Sequence, residues 1–358
     1  MVTFEVLVSG LPVFAQWATA GVLLLIGMWI LSKSADLFVE GAVALATRLR
    51  MPALLVGFII VGFGTSAPEM LVSALAAAQG MTPLSLGNAY GSNITNVLLI
   101  LGASMLVAPI VLNRVALRRD IPFLLVLIVL AFILGLNGFS RWDGILLCVA
   151  FLAFLFWQIG IMLFQRGKLV CDDPEEQQAA VTRPMPIVCL QTFGGLALLL
   201  LSSQVLVSAA QFIAEGAAAA AGITPEATQL IVGVTIVALG TSLPELMASV
   251  SAMRHGQPDI ALGNVVGSNC FNLGIVAGIA IIIRPVQGAG IPPELMWRDA
   301  LVMLGTALLL AICGYFAWWR MKRSATSNQT ITLSRGYGIL FLVLWVAYTI
   351  VAVCFTRG

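Results

Sequence analysis

GTSAPEMLVSALAAAQGMTPLSLGNAYGSNITNVLLILG, residues 64–102, aligns without a gap on GTSLPELMASVSAMRHGQPDIALGNVVGSNCFNLGIVAG, residues 240–278, at an offset of 176 and with 16 identities in 39 positions. Self-similarity of that order is the mark of a duplicated unit. A weaker echo precedes it at an offset of 175, where ADLFVEGA from Ala35 matches AQFIAEGA from Ala210 and pairs Glu40 with Glu215. The chain therefore reads as two copies of one architecture.

The composition says which solvent surrounds those copies. Of the 358 residues 60% are hydrophobic and 9% charged, against about 25% charged in soluble domains. So few charges cannot cover a water-soluble surface, and lipid must surround most of the chain. A net charge of +2, with no basic run longer than Arg320, Lys322 and Arg323, excludes a nucleic-acid partner. One histidine, His255, and six cysteines without a CxxC pair leave no spacing for a zinc, haem or iron–sulfur site. The cysteines read as free thiols packed as small apolar residues, and no cofactor is implied.

On the ruler of about 20 apolar residues per membrane-spanning helix, ten spans are expected: 17–45, 53–79, 83–108, 121–137, 143–165, 187–221, 227–252, 259–283, 296–319 and 336–356. Continuous stretches such as 121–136 exclude the alternation of a membrane β-barrel. The fold class is thus an all-α membrane protein. Its first half is residues 1–165, with the repeat at about 62–102; a linker follows at 166–186; the second half is 187–358, with the repeat at about 238–278. Five spans per half turn the second copy upside down, the inverted-repeat plan of many secondary transporters. Of the 18 basic residues, Arg141, Arg284, Arg298 and Arg357 fall in one set of alternate loops, Lys33 lies within the first span, and the rest fall in the other set. Retention of basic loops in the cytoplasm places the linker, with its CDDPEEQQ run, inside and both termini outside. Glu5 and the absence of a basic start argue against a cleaved signal. The expected location is a bacterial or archaeal plasma membrane, with the bilayer as environment and no obligate protein partner evident.

Within GTSxPE, Glu69 and Glu245 stand in the middle of apolar spans. A carboxylate there costs on the order of 3 kcal/mol even on lenient insertion scales, and neither has a basic residue near it in its own or the facing motif. Their partner reads as a bound cation. Pro68 and Pro244 should bend or break the spans, freeing carbonyls beside the hydroxyls of Thr65, Ser66, Thr241 and Ser242. The second motif, GNxxGSNxxN, sets Ser92 four residues before Asn96 and Ser268 four before Asn272, on one helix face each. Carboxylates, hydroxyls, amide oxygens and carbonyls without sulfur or imidazole form a ligand set for hard cations such as Ca2+ and Na+. Any single Gly, Pro or Ser in such a helix is ordinarily a packing residue; the duplication is what lifts these above that reading. Glu40, Glu215 and Asp36, near span ends, fit water-facing or helix-bridging roles at least as well as ion relay. Trp142, Trp297, Trp318 and Trp319 read as interfacial anchors.

The two motifs resemble the alpha repeats of the cation/Ca2+ exchanger superfamily, in its sodium/calcium exchanger branch, and the compact chain is similar to the prokaryotic members. The resemblance implies ions bound at mid-membrane between the second, third, seventh and eighth helices. It implies as ligands Glu69, Glu245, Thr65, Ser66, Thr241, Ser242, Ser92, Ser268 and Asn96, with the carbonyls of Gly62 and Ala238. Some members carry Asp where this chain has Asn272, a pattern similar to potassium-dependent exchangers, so Asn272 argues against potassium dependence. The GNA(T/A)E motif of proton-coupled relatives and the large regulatory loop of animal exchangers are absent. The expected activity is export of Ca2+ for Na+ through one site used in turn, with no enzymatic step. Ca2+/H+ antiport and a cation channel are the alternatives. An intramembrane serine hydrolase is disfavoured by the lone histidine and the lack of a Ser-x-x-Lys pair.

Overall fold

The computed structural model describes residues 10, 12–165, 183–220, 238–287, 290–323 and 331–355. The chain opens with a 37-residue helix, α1 (Val13–Leu49), four residues longer at each end than the expected first span. A bent pair follows, α2 (Ala53–Thr65) and α3 (Ala67–Ala78), turned through 46°. Then come α4 (Thr82–Val107), α5 (Ile121–Gly135) and α6 (Arg141–Gln165). The second half runs α7 (Met185–Ala218), α8 (Ala238–Thr241), α9 (Leu243–Arg254), α10 (Pro258–Ile283), α11 (Leu295–Lys322) and α12 (Arg335–Phe355).

Among the described residues seven helices are long and apolar enough to cross a membrane, or eight when α2 and α3 count as one span. Of the other expected spans, α5 is short at 15 residues, and the start of the seventh, 227–237, lies outside the described residues, as do Cys171 and most of the 166–186 linker. Cys148, Cys189, Cys270 and Cys313 are free thiols. The fold is mostly helical rather than all-α: β1 (Ile110–Val111) pairs antiparallel with β4 (Thr332–Leu333), and β2 (Gly138–Phe139) with β3 (Val286–Gln287). Backbone leaving a helix near lipid must find partners, and these two-residue ribbons supply them. Each ribbon joins one half to the other.

The duplicated sequence is built twice in the same way. Shifting α3 by 176 residues reproduces the bounds of α9, and the same shift carries the π-helical segment Asn96–Leu101 of α4 onto Asn272–Ala277 of α10. A π-turn also precedes α5 at Ala116–Asp120 and opens α11 at Leu295–Asp299, where Asp120 accepts from Arg119 at 2.6 Å and Asp299 from Arg298 at 2.7 Å. Gln158 on α6 and Tyr348 on α12 then donate to those same carboxylates. The sequence reading missed every π-segment, because a widened turn leaves no composition signature; such bulges concentrate at functional sites.

The motif helices form the centre. In the most apolar stretch of α10 78% of residues are buried, and in α4 67%, against 11% in α12. The crossing of α2 and α10 is backbone against backbone: Gly57 faces Ile260, Gly263 faces Leu54, and Gly267 faces Phe58, with no space for a Cβ at any of them. Close approach of that kind is what small residues allow in membrane helix packing. The long α1 packs along α7, and also touches α9.

Candidate functional site

Both GTSxPE motifs interrupt their helices. The break falls at Ser66 between α2 and α3, and at Ser242 between α8 and α9. Pro68 and Pro244 therefore lie in the first turn of a new helix, where a missing N–H leaves nothing unpaired, rather than in the interior of a kinked one. The expectation that the prolines bend or break these spans holds, α2 and α3 being turned through 46° and α8 and α9 being separated at Ser242. Glu69 and Glu245 occupy the first turns of α3 and α9, the end of a helix that favours negative charge.

These carboxylates are buried, 1% and 2% exposed, together with Thr65, Ser66 and Ser242. Ser66 Oγ donates across the halves to Glu245 Oε1 at 3.1 Å. Both oxygens of Glu69, the second oxygen of Glu245 and Ser242 Oγ are buried without a hydrogen-bond partner among the described residues. No ion pair reaches either glutamate there; Lys33, the basic residue inside the first span, pairs instead with Asp36 at 3.9 Å. Leaving buried charge uncompensated is costly, and a positively charged occupant would offset that cost.

The GNxxGSNxxN helices, α4 and α10, contribute the remaining walls. Asn96 and Asn272, each 1% exposed, open the two π-segments. Asn96 Nδ2 donates to Asn269 Oδ1 at 2.9 Å, leaving Asn96 Oδ1 unclaimed, while both side-chain atoms of Asn272 lack a partner. Ser92 is buried one turn before Asn96. Ser268 Oγ donates to the Gly62 carbonyl at 3.4 Å, and that carbonyl also accepts the Ser66 N–H, so it is engaged rather than bare. Thr65 Oγ1 donates to the Val61 carbonyl at 2.9 Å and lies 3.3 Å from Asn264 Oδ1. Thr241 ends α8, and Ala238 begins it.

The GNxxGSNxxN motif contains Asn88, Asn93, Asn264 and Asn269, but what they bond, and Ser73 and Ser249, escaped the sequence reading. Asn93 and Asn269, third in GSN, each donate to the other's backbone carbonyl, at 3.2 and 3.3 Å. Asn88 Nδ2 donates to Ser73 Oγ at 3.1 Å, and the matching Asn264 donates to Ser249 at 2.8 Å, so each glutamate-bearing helix is tied to its own Asn-rich helix. The available signal was identity: all six are the same residue in both copies. Near one span end, Ser251 Oγ donates to Asp36 and His255 lies 3.6 Å from Glu40, bridging α9 to α1.

A hard cation takes oxygen ligands in adaptable number, and the residues gathered here are carboxylate, hydroxyl and amide oxygens from four helical segments. The family of sodium/calcium exchanger proteins matches residues 19–160 and 194–354. The inner membrane protein YrbG of Escherichia coli is 33% identical over 92% of this chain and 96% of its own length. The sodium/calcium exchanger MaX1 of Methanosarcina acetivorans is 28% identical over 92% of this chain and 97% of its own. Among solved structures, the sodium–calcium exchanger NCX_Mj soaked without Na+ and Ca2+ superposes with a TM-score of 0.73 at 27% identity, covering 94% of this chain and 99% of that one.

Proposed function

The chain belongs to the sodium/calcium exchanger family, and on that premise we propose that it carries Ca2+ across the membrane in exchange for Na+, both ions using one mid-membrane site in turn. The observation that carries the proposal is the pair of buried glutamates, Glu69 and Glu245, without an ion-pair partner among the described residues and presented by matching helix starts of the two repeats. Two carboxylates balance one Ca2+. Ser66, Thr65, Thr241, Ser242, Ser92, Ser268, Asn96, Asn272 and the carbonyls of Gly62 and Ala238 are the neutral oxygens proposed around them.

The ten-span, inverted arrangement is part of the same proposal. The matching bounds of α3 and α9, the matching π-segments, and ribbons on either side of α5 that each join the two halves all support it. In that arrangement repeat segments 62–102 and 238–278 meet at a pseudo-two-fold axis, the 166–186 linker is cytoplasmic and both termini lie outside the inner membrane. Empty, the site holds uncompensated carboxylates that oppose rearrangement in a dehydrated interior; occupied, it is neutral enough to switch. Exchange is then obligatory, and the long α1 and α7 slide against the motif core as access alternates.

Ca2+ uptake into proteoliposomes under an outward Na+ gradient, compared with an outward H+ gradient, tests the reading. Uptake driven by Na+ and lost in Glu69→Gln is the expected result. Uptake driven only by H+ would transfer the same site to proton-coupled antiport, and flux with no exchange partner would make it a channel.

A further inference from the structure

The two halves share motif residues, yet their bonding differs. Asn269 Oδ1 accepts Asn96 Nδ2 at 2.9 Å. The repeat-related bond would run from Asn272 Nδ2 to Asn93 Oδ1, and among the described residues both of those atoms are buried without partners. A second pair differs in the same sense: Ser66 Oγ donates to Glu245, while Ser242 Oγ and both oxygens of Glu69 stay unpaired. In both of these pairs the donor belongs to the first half and the acceptor to the second, whereas Ser268 Oγ of the second half donates to the Gly62 carbonyl of the first.

We propose that Asn269 and Asn93 are positioning residues that act alternately, Asn269 aiming the Asn96 oxygen at the ion in the state seen here and Asn93 aiming the Asn272 oxygen in the oppositely facing state. The inference rests on the proposed exchange at a shared site. Its chemistry lies in the amide: the terminal torsion of asparagine is broad and nearly two-fold, so an untethered side chain turns its NH2 toward a cation as readily as its oxygen. A tethered Nδ2 leaves only Oδ1 to face the site, which is the condition of Asn96. Asn272 has no such tether.

The reciprocal bonds between Asn93 and Asn269 and each other's carbonyls keep both tethering residues beside the axis in either state. Inverted repeats reach the opposite-facing state by exchanging their two conformations. The Asn272–Asn93 bond then forms as the Asn96–Asn269 bond opens. One amide ligand is handed from one half to the other during each switch.

The test measures the apparent KM for Ca2+ separately at each face, in proteoliposomes with right-side-out and inside-out protein resolved. Asn269→Ala should raise KM about two- to tenfold, the worth of a hydrogen bond between neutral amides, at one face only. Asn93→Ala should raise it at the opposite face. In an Asn96→Ala background Asn269→Ala should add nothing further, which a general loss of packing would not mimic. Equal effects at both faces, effects at the same face, or no effect overturn the inference. Should an alanine variant fail to fold, Asn96→Ala and Asn272→Ala carry the same test, since their KM effects must also fall on opposite faces. Wild type without Na+-driven uptake would overturn the proposed exchange and this inference together; wild type with uptake but face-independent KM changes overturns this inference alone.

Discussion

Ser66 Oγ, at the break between α2 and α3, donates to Glu245 Oε1 of the other repeat at 3.1 Å. This bond joins the two halves at the charged centre. A hydrogen bond to a charged group contributes about 1.5–3 kcal/mol, so Ser66→Ala should raise the Ca2+ KM roughly ten- to hundredfold, more than Ser242→Ala measured at the same face. Radiolabelled Ca2+ uptake at varied Ca2+ checks it, and equal effects of the two substitutions would contradict the asymmetry.

Buried carboxylates without a basic partner among the described residues predict a trade of stability against function. Glu69→Gln and Glu245→Gln remove a charge that the ion-free interior does not compensate. In chelator and without Na+, both variants should melt higher than wild type in detergent. Saturating Ca2+ at about 100 times its Kd should stabilise wild type by about 2.7 kcal/mol and the variants hardly at all. A Ca2+-induced Tm gain preserved in either variant would remove that residue from the site.

The glycine contacts predict opposite outcomes at two helical positions. A Cβ at Gly267 would lie 2.5 Å from the Phe58 carbonyl oxygen, whereas one at Gly305 meets nothing within 4 Å. Gly267→Ala must push α2 and α10 apart, at about 1–3 kcal/mol or more, and should lower Tm and uptake together. Gly305→Ala gains up to about 1 kcal/mol of helix propensity and should leave uptake near wild type. Thermal melts of the two variants side by side give the comparison.

Asp36 and Ser251 bridge α1 to α9 through a 2.7 Å hydrogen bond. If α1 slides against the core during exchange, a disulfide between Asp36→Cys and Ser251→Cys should halt Na+-driven uptake and reductant should restore it. Uptake that continues with the cross-link intact would exclude sliding at this contact.

Much of the candidate site was legible because carboxylates are costly in lipid. Glu69 and Glu245 stood out as charges in apolar spans, and the repeat drew Ser66, Asn96 and Asn272 beside them. The roles of Asn93, Asn269, Ser73 and Ser249 were not legible, although they too are identical in both copies. A buried asparagine reads the same whether it faces an ion or a neighbouring backbone, and only the bond from Asn93 to the Asn269 carbonyl distinguishes the two. The prolines were legible as disruptions but not as helix starts, because that depends on where the preceding turn ends.

What the sequence determined by itself is the solvent, the duplication and the charged pair, each set by composition or by spacing along the chain. Lipid tolerates so few charges that every one has a reason, and repetition identifies which reasons are shared. The tertiary structure decided how the halves meet. Glycines bring α2 against α10, π-turns re-aim Asn96 and Asn272, and Ser66 reaches Glu245 from a segment 179 residues away. It also decided that two copies of one motif are not bonded alike, a difference that asparagines identical in both copies cannot express along the chain.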